Sequence, residues 1–224
     1  MIIDIVLILG IFSVLLNAIA YTWIGSLYPE GTGFHLNYLG DDFIPFIPEM
    51  AIFYIYLFYS MVIISMVYFA FIDPEKGYAL GWALVFINLI AIIIYIVFPV
   101  STYWWRQQLF AIESSYQGNI FAEAMFSYFR SDTSFNCFPS LHAAISVIIF
   151  YTWYRYYKLK PDLKKKIVAI ITFIIAAGVV LSTLFVKQHY ILDEIAGITL
   201  AYVVGRYTFN YLWKSFEQKS PPIE

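Results

Sequence analysis

Six stretches of this chain, about 2–24, 48–72, 79–99, 141–157, 167–187 and 189–213, run for long distances with scarcely a charge. A helix needs about 20 apolar residues to cross ~30 Å of hydrocarbon, and inside lipid its backbone must satisfy its own polar groups. The expectation is therefore an all-α, six-span transmembrane helical bundle, a single domain over residues 1–224. Composition agrees: 62% of residues are hydrophobic and 12% charged, whereas soluble domains carry about a quarter charged. The fourth run is short and leans on flanking aromatics. The first resembles a signal peptide at Ala18-Ile19-Ala20 but lacks a positive leading region, so it reads as a retained span. No basic groove or motif points to nucleic acid. The single cysteine, Cys137, leaves no internal disulfide or cysteine-based zinc site and reads as an apolar filler.

The breaks carry turn chemistry. Asp73-Pro74-Glu75-Lys76-Gly77 closes the second run, and Lys158–Lys166 with Pro161 separates the fourth from the fifth. Pro45 and Pro48 precede the second run, where a missing N–H costs little. With both termini cytoplasmic, ten Lys and Arg fall inside: Lys76, Arg155, Lys158, Lys160, Lys164, Lys165, Lys166, Arg206, Lys214 and Lys219. Only Arg106, Arg130 and Lys187 fall outside. The positive-inside rule selects that topology. It puts the start of span four and the turn between spans five and six on the extracytoplasmic side, and a plasma-membrane location is expected. Between spans three and four, Ile112, Tyr116, Ile120, Ala124 and Tyr128 recur every four residues. This predicts an interfacial helix lying flat on the membrane, either a lid packed on the bundle or a substrate gate.

Two of the three histidines, His142 and His189, fall at extracytoplasmic ends of spans. Asp193 follows His189 by four residues, which on one helix places both on the same face. A carboxylate a turn deep in a membrane helix is costly and usually serves a function. An imidazole held by a carboxylate presents its other nitrogen in a fixed tautomer, as a nucleophile requires. The dipole at the start of span six favours the neutral ring. His142, at the matching place on span four, suits a general acid. Free backbone N–H groups there, beginning with Ser140 and Leu141, form an expected phosphate cradle. The outer cations Arg106, Arg130 and Lys187 either snorkel to headgroups or meet an anion, and Lys187, two residues from His189, is the strongest candidate for the latter. Glu194 reads as a polar bystander. Asp41 and Asp42 read as caps before span two rather than metal ligands, and His35 as an interfacial polar residue.

FPSLH at 138–142 and STLFVKQHYILD at 182–193 resemble the type 2 phosphatidic acid phosphatase superfamily, whose signatures are PSGH and SR-x5-H-x3-D. The form with leucine before the histidine is similar to the branch of inositol-phosphorylceramide synthases and bacterial membrane phosphatases, as is DDFIPFIPEM at 41–50. The resemblance implies a metal-independent, cofactor-free enzyme acting on a lipid phosphate or phospholipid. His189 would attack phosphorus, Asp193 would orient it and His142 would protonate the departing oxygen, while Ser140 and Ser182 would contact phosphate oxygens. Two departures stand out. Thr183 occupies the place of the signature arginine, which removes a bidentate phosphate clamp. The signature K-x6-R-P is not found, and Lys187 and Arg106 are the proposed replacements. Hydrolysis of a lipid phosphate ester is the leading expectation: phosphatidic acid, phosphatidylglycerol phosphate or polyprenyl pyrophosphate. The alternative is phosphotransfer to a lipid hydroxyl. A carrier or channel would call for broken helices or an inverted repeat, and neither is evident in the sequence.

Overall fold

A computed structural model describes residues 2–159 and 161–213. Among these residues there are eight α-helices and no strand, with one parallel bridge pairing Phe34 and Val100. The helices are α1 (Ile2–Leu27), α2 (Phe58–Ile72), α3 (Pro74–Val97), α4 (Tyr103–Ala111), α5 (Ile120–Ser131), α6 (Leu141–Leu159), α7 (Leu163–Phe185) and α8 (Ile191–Thr208). Lys160, Lys214 and Lys219, counted in the charge asymmetry, lie outside the described residues.

Four helical runs are long and apolar enough to cross a membrane: Ile2–Leu27, Pro48–Ile72, Pro74–Val97 and Leu163–Phe185. The other two apolar runs fold as α6 and α8, which are shorter and carry the polar groups of the motifs. Helix α3 lies at the centre, packed against α1, α2, α6 and α8. Its neighbour α1 turns Ile8, Phe12 and Ile19 outward. A soluble surface would not carry so continuous an apolar face; hydrocarbon solvates it at no cost.

Three boundaries differ from the sequence reading. The break after the second run is one residue long, because Pro74 at the first helical position starts α3 at once and Asp73 caps it. The Pro48–Ile72 run begins as a 3-10 turn, passes through a π-helical stretch at Ile52–Leu57 and becomes α2 only at Phe58. The expected flat helix is broken in two. Gly118 adopts φ of 83°, and the Asn119 side chain accepts from the N–H groups of Phe121 and Ala122 to start α5 afresh. The buried face of α5 is Ala122, Met125, Phe126 and Phe129, not the Ile120–Tyr128 line, and Ile120 is largely exposed.

Connecting segments mass at one end of the bundle. Ile47 N–H donates to the Phe185 carbonyl, Thr102 N–H to Ser134, and Ser140 N–H to Asp193. These cross-links bring the segments around residues 28–57, 98–140 and 186–190 together over the starts of α6 and α8.

Candidate active site

Helix α7 ends at Phe185, and a tight turn with Lys187 at φ of 58° leads into α8. His189 therefore precedes the helix instead of sharing its face with Asp193, a correction to the sequence reading. The two still meet, because the turn folds back. His189 Nδ1 lies 3.3 Å from Asp193 Oδ2, and the same oxygen accepts from the Tyr190 N–H at 2.9 Å. Asp193 thus satisfies one of the unpaired donors at the helix start and holds the imidazole with one carboxylate. A second carboxylate completes the cap from far away in sequence. Asp41 Oδ1 accepts from the Ile191 N–H at 2.7 Å, so Asp41 caps α8 and not the second run.

Helix α6 meets α8 at its own start. Ser140 N–H donates to the Asp193 carbonyl at 3.0 Å, so it is not a free phosphate donor, and the Ser140 hydroxyl accepts from the Ala143 N–H at 3.2 Å. The approach is close enough that a Cβ on Gly197 would collide with the Ser140 carbonyl. Tyr95 of α3 supports the same corner, donating to the Pro139 carbonyl at 2.9 Å. Within the first turn of α6, His142 stacks on Tyr54 at 4.4 Å between ring centres and lies 4.6 Å from Phe58. The π-helical stretch presents Tyr54 to that ring, in keeping with the occurrence of such stretches at functional sites. The rings of His142 and His189 meet edge-on, with centres 6.0 Å apart and planes inclined at 61°.

Both histidines line one cavity of about 620 Å³, with Leu141, Tyr54, Tyr128, Asp132, Cys137 and Gln188 also in its wall. From there it extends between α1 and α2 as far as Leu7 and Met66. Ser182, Lys187 and Arg106 are not in that wall. The buried Ser182 hydroxyl donates to the Val179 carbonyl at 2.7 Å. Lys187 Nζ donates to the Asp41 carbonyl at 2.8 Å and lies 4.5 Å from the Trp105 ring centre. Arg106 reaches the cavity only through its partners. Its guanidinium donates to Asp132 Oδ2 at 3.0 Å and to Gln188 Oε1 at 2.9 Å. Burial holds the Asp132 carboxyl above the usual carboxylate range, although Arg106 pulls the other way. Arg130 lies apart, paired with Glu113. Of the weaker candidates, His35 is exposed and leans on Trp104 and Tyr190.

Sequence reasoning missed four residues. Gln188 is 4% exposed and its Nε2 has no acceptor among the described residues, although it sits in the cavity wall beside His189. Asp132 joins it through Arg106. Tyr54 is legible only as an aromatic four residues before Phe58. Glu194 is no bystander: it is buried, and Thr183, at the place of the signature arginine, donates to its Oε1 at 2.9 Å. Charge that an arginine would have brought there is replaced by a neutral hydroxyl tied to an acid.

Cys137, His189 and Asp193 bring metal-ligand atoms within 4.8 Å of one another. A metal would need the thiolate, and burial pushes the Cys137 thiol up, away from ionisation. Cys137 Sγ also lies 3.3 Å from the Ser134 carbonyl, and Asp193 Oδ2 already holds two partners, which leaves only its Oδ1 without one among the described residues. The donor set fits a positioned imidazole better than a cation.

A family model described as the PAP2 superfamily matches residues 45–206, well over half of the chain. The chain belongs to the PAP2 superfamily. Members are generally phosphatases, and membership points to phosphatase or phosphotransferase chemistry on phosphate esters, here in a protein with four helical runs long and apolar enough to cross a membrane. No curated protein and no solved structure matches the chain. The match spans both histidine motifs of this PAP2 protein but leaves out α1, whose residues form one side of the cavity.

Proposed function

We propose that this PAP2 protein hydrolyses the phosphate ester of a membrane lipid through a phosphohistidine. The observation that carries the reading is the pair of neighbouring imidazoles in one cavity, one ring bonded to a carboxylate and the other stacked on an aromatic. Asp193 accepts a hydrogen bond from the Nδ1–H of His189, which keeps that proton on Nδ1 and leaves the Nε2 lone pair to attack phosphorus. The P–O bond to the lipid breaks as the N–P bond forms, and His142 gives its proton to the departing oxygen. A phosphate dianion beside His142 favours the protonated ring. Water then attacks the phosphohistidine, His142 takes its proton, and inorganic phosphate leaves. No step requires a metal.

Around this chemistry we place six spans, with α6 and α8 crossing alongside the four longer runs and α4–α5 lying at the interface. Arg106, Arg130 and Lys187 sit at the end that holds the histidines, opposite Lys76 and Arg155, which approach Trp213. By the positive-inside rule the histidine end is extracytoplasmic and both termini are cytoplasmic. A second reading keeps the first half of the reaction and changes the acceptor to a lipid hydroxyl, as in the inositol-phosphorylceramide synthase branch. It draws on the Thr183–Glu194 pair, a departure from the phosphatase signature.

Incubation of purified protein with phosphatidic acid, phosphatidylglycerol phosphate, polyprenyl pyrophosphate and whole phospholipids, with and without chelator, tests these points. Release of inorganic phosphate supports hydrolysis, and a new lipid species supports transfer. His189→Ala is expected to lose at least about 10⁴-fold in turnover and His142→Ala about 10²- to 10⁴-fold. Retained turnover in the former sinks the nucleophile assignment, and loss with chelator sinks metal independence.

A further inference from the structure

Part-way along the cavity, away from the histidines, three polar side chains interrupt an otherwise apolar wall: Ser13 and Asn17 on α1 and Asn88 on α3. Asn17 Nδ2 donates to Asn88 Oδ1 at 2.9 Å, and Asn88 Nδ2 donates to Ser13 Oγ and to the Leu84 carbonyl, both at 2.9 Å. Asn88 is thereby used up as a donor. Asn17 keeps a second N–H and Ser13 keeps its hydroxyl proton. Polar pairs of this kind often serve only as glue between membrane helices. These three, however, line the cavity together with Gly10, Val14, Val62 and Met66.

Their depth is set by a bond at the other end of the same helix. Asn136 Nδ2 donates to the Tyr21 carbonyl at 2.9 Å, tying α1 at Tyr21 to the segment that carries Cys137 into the cavity wall beside His189. At 1.5 Å per residue, Asn17 lies about 6 Å and Ser13 about 12 Å further along α1 from that level. A lipid with its phosphate between the histidines and its chain between α1 and α2 would bring its linkage region to these donors.

Resting on the reading above, we propose that Ser13 and Asn17, held in place by Asn88, form an intramembrane subsite for the ester or amide carbonyls of an acyl lipid. A polyprenyl phosphate has no acceptor at that depth and would leave desolvated donors unpaired, which a polar site resists. Ser13 and Asn17, the two residues with donors to give, fall outside the 45–206 match, and Asn88 falls within it.

The test compares diacyl phosphatidic acid, its diether analogue and a polyprenyl phosphate on the purified full chain. Turnover is read as kcat/KM, and lipid retention is read separately by native mass spectrometry. The diacyl lipid is expected to exceed the diether by about tenfold in kcat/KM, the scale of one or two buried hydrogen bonds. Asn17→Leu and, independently, Ser13→Ala should bring the diacyl-to-diether ratio toward one. Equal handling of diacyl and diether lipid by the unaltered protein overturns the subsite. So does a ratio that Asn17→Leu leaves intact while both rates fall together, since that marks glue alone. Preferential retention of diacyl lipid without turnover would support the subsite while refuting the hydrolytic reading, so the two failures are separable.

Discussion

The two histidines are held by opposite means. His189 sits on a polar frame: Asp193 grips its ring, the Tyr190 N–H grips Asp193, and Asp41 caps the helix that carries Asp193. His142 sits in an aromatic frame, stacked on Tyr54 and flanked by Phe58. A hydrogen bond to a carboxylate fixes which nitrogen carries the proton, whereas ring stacking fixes the plane and leaves the proton free to come and go. The first suits a nucleophile that must keep one tautomer, and the second suits a group that donates a proton and takes one back.

Removing the polar frame should hurt most. Asp193→Asn is expected to lower kcat on the order of 10³-fold with little change in KM, because the amide no longer enforces the tautomer; steady-state kinetics on a lipid phosphate read it. An unchanged kcat would separate the carboxylate from the chemistry. Removing the aromatic frame should cost less. Tyr54→Leu is expected to lower kcat about 3- to 10-fold, the worth of one ring pair, and a loss as large as that of Asp193→Asn would erase the contrast between the frames. The remote cap should matter least to turnover. Asp41→Ala removes the acceptor for the Ile191 N–H and is expected to cost about 1 kcal/mol of stability, seen as a lower melting temperature. The Lys187 bond survives that change, because it is made to the Asp41 backbone carbonyl.

Much of this was legible in the chain itself. The apolar runs announce helices, since hydrocarbon permits little else. The His189-x3-Asp193 spacing announces a bonded pair, and it proved tolerant of error: the pair meets through a turn and not along a helix face. Less visible were contacts between segments far apart in sequence. Nothing near Gln188 advertises that Arg106, 82 residues earlier, will hold it against the cavity. Thr183 reads as a missing charge until its hydroxyl is seen bonded to Glu194. Ser140 reads as a phosphate donor until the carbonyl of Asp193 takes its N–H.

Periodicity and short spacings act within one helix or one turn, so the chain alone determined that this is a helical membrane protein with a histidine motif at two helix starts. Which donors are spent and which remain was decided by the packing of α6 against α8 and of α1 against α3. A backbone N–H or an amide has only so many bonds to give, and its partner is chosen by proximity in space, which local sequence does not encode.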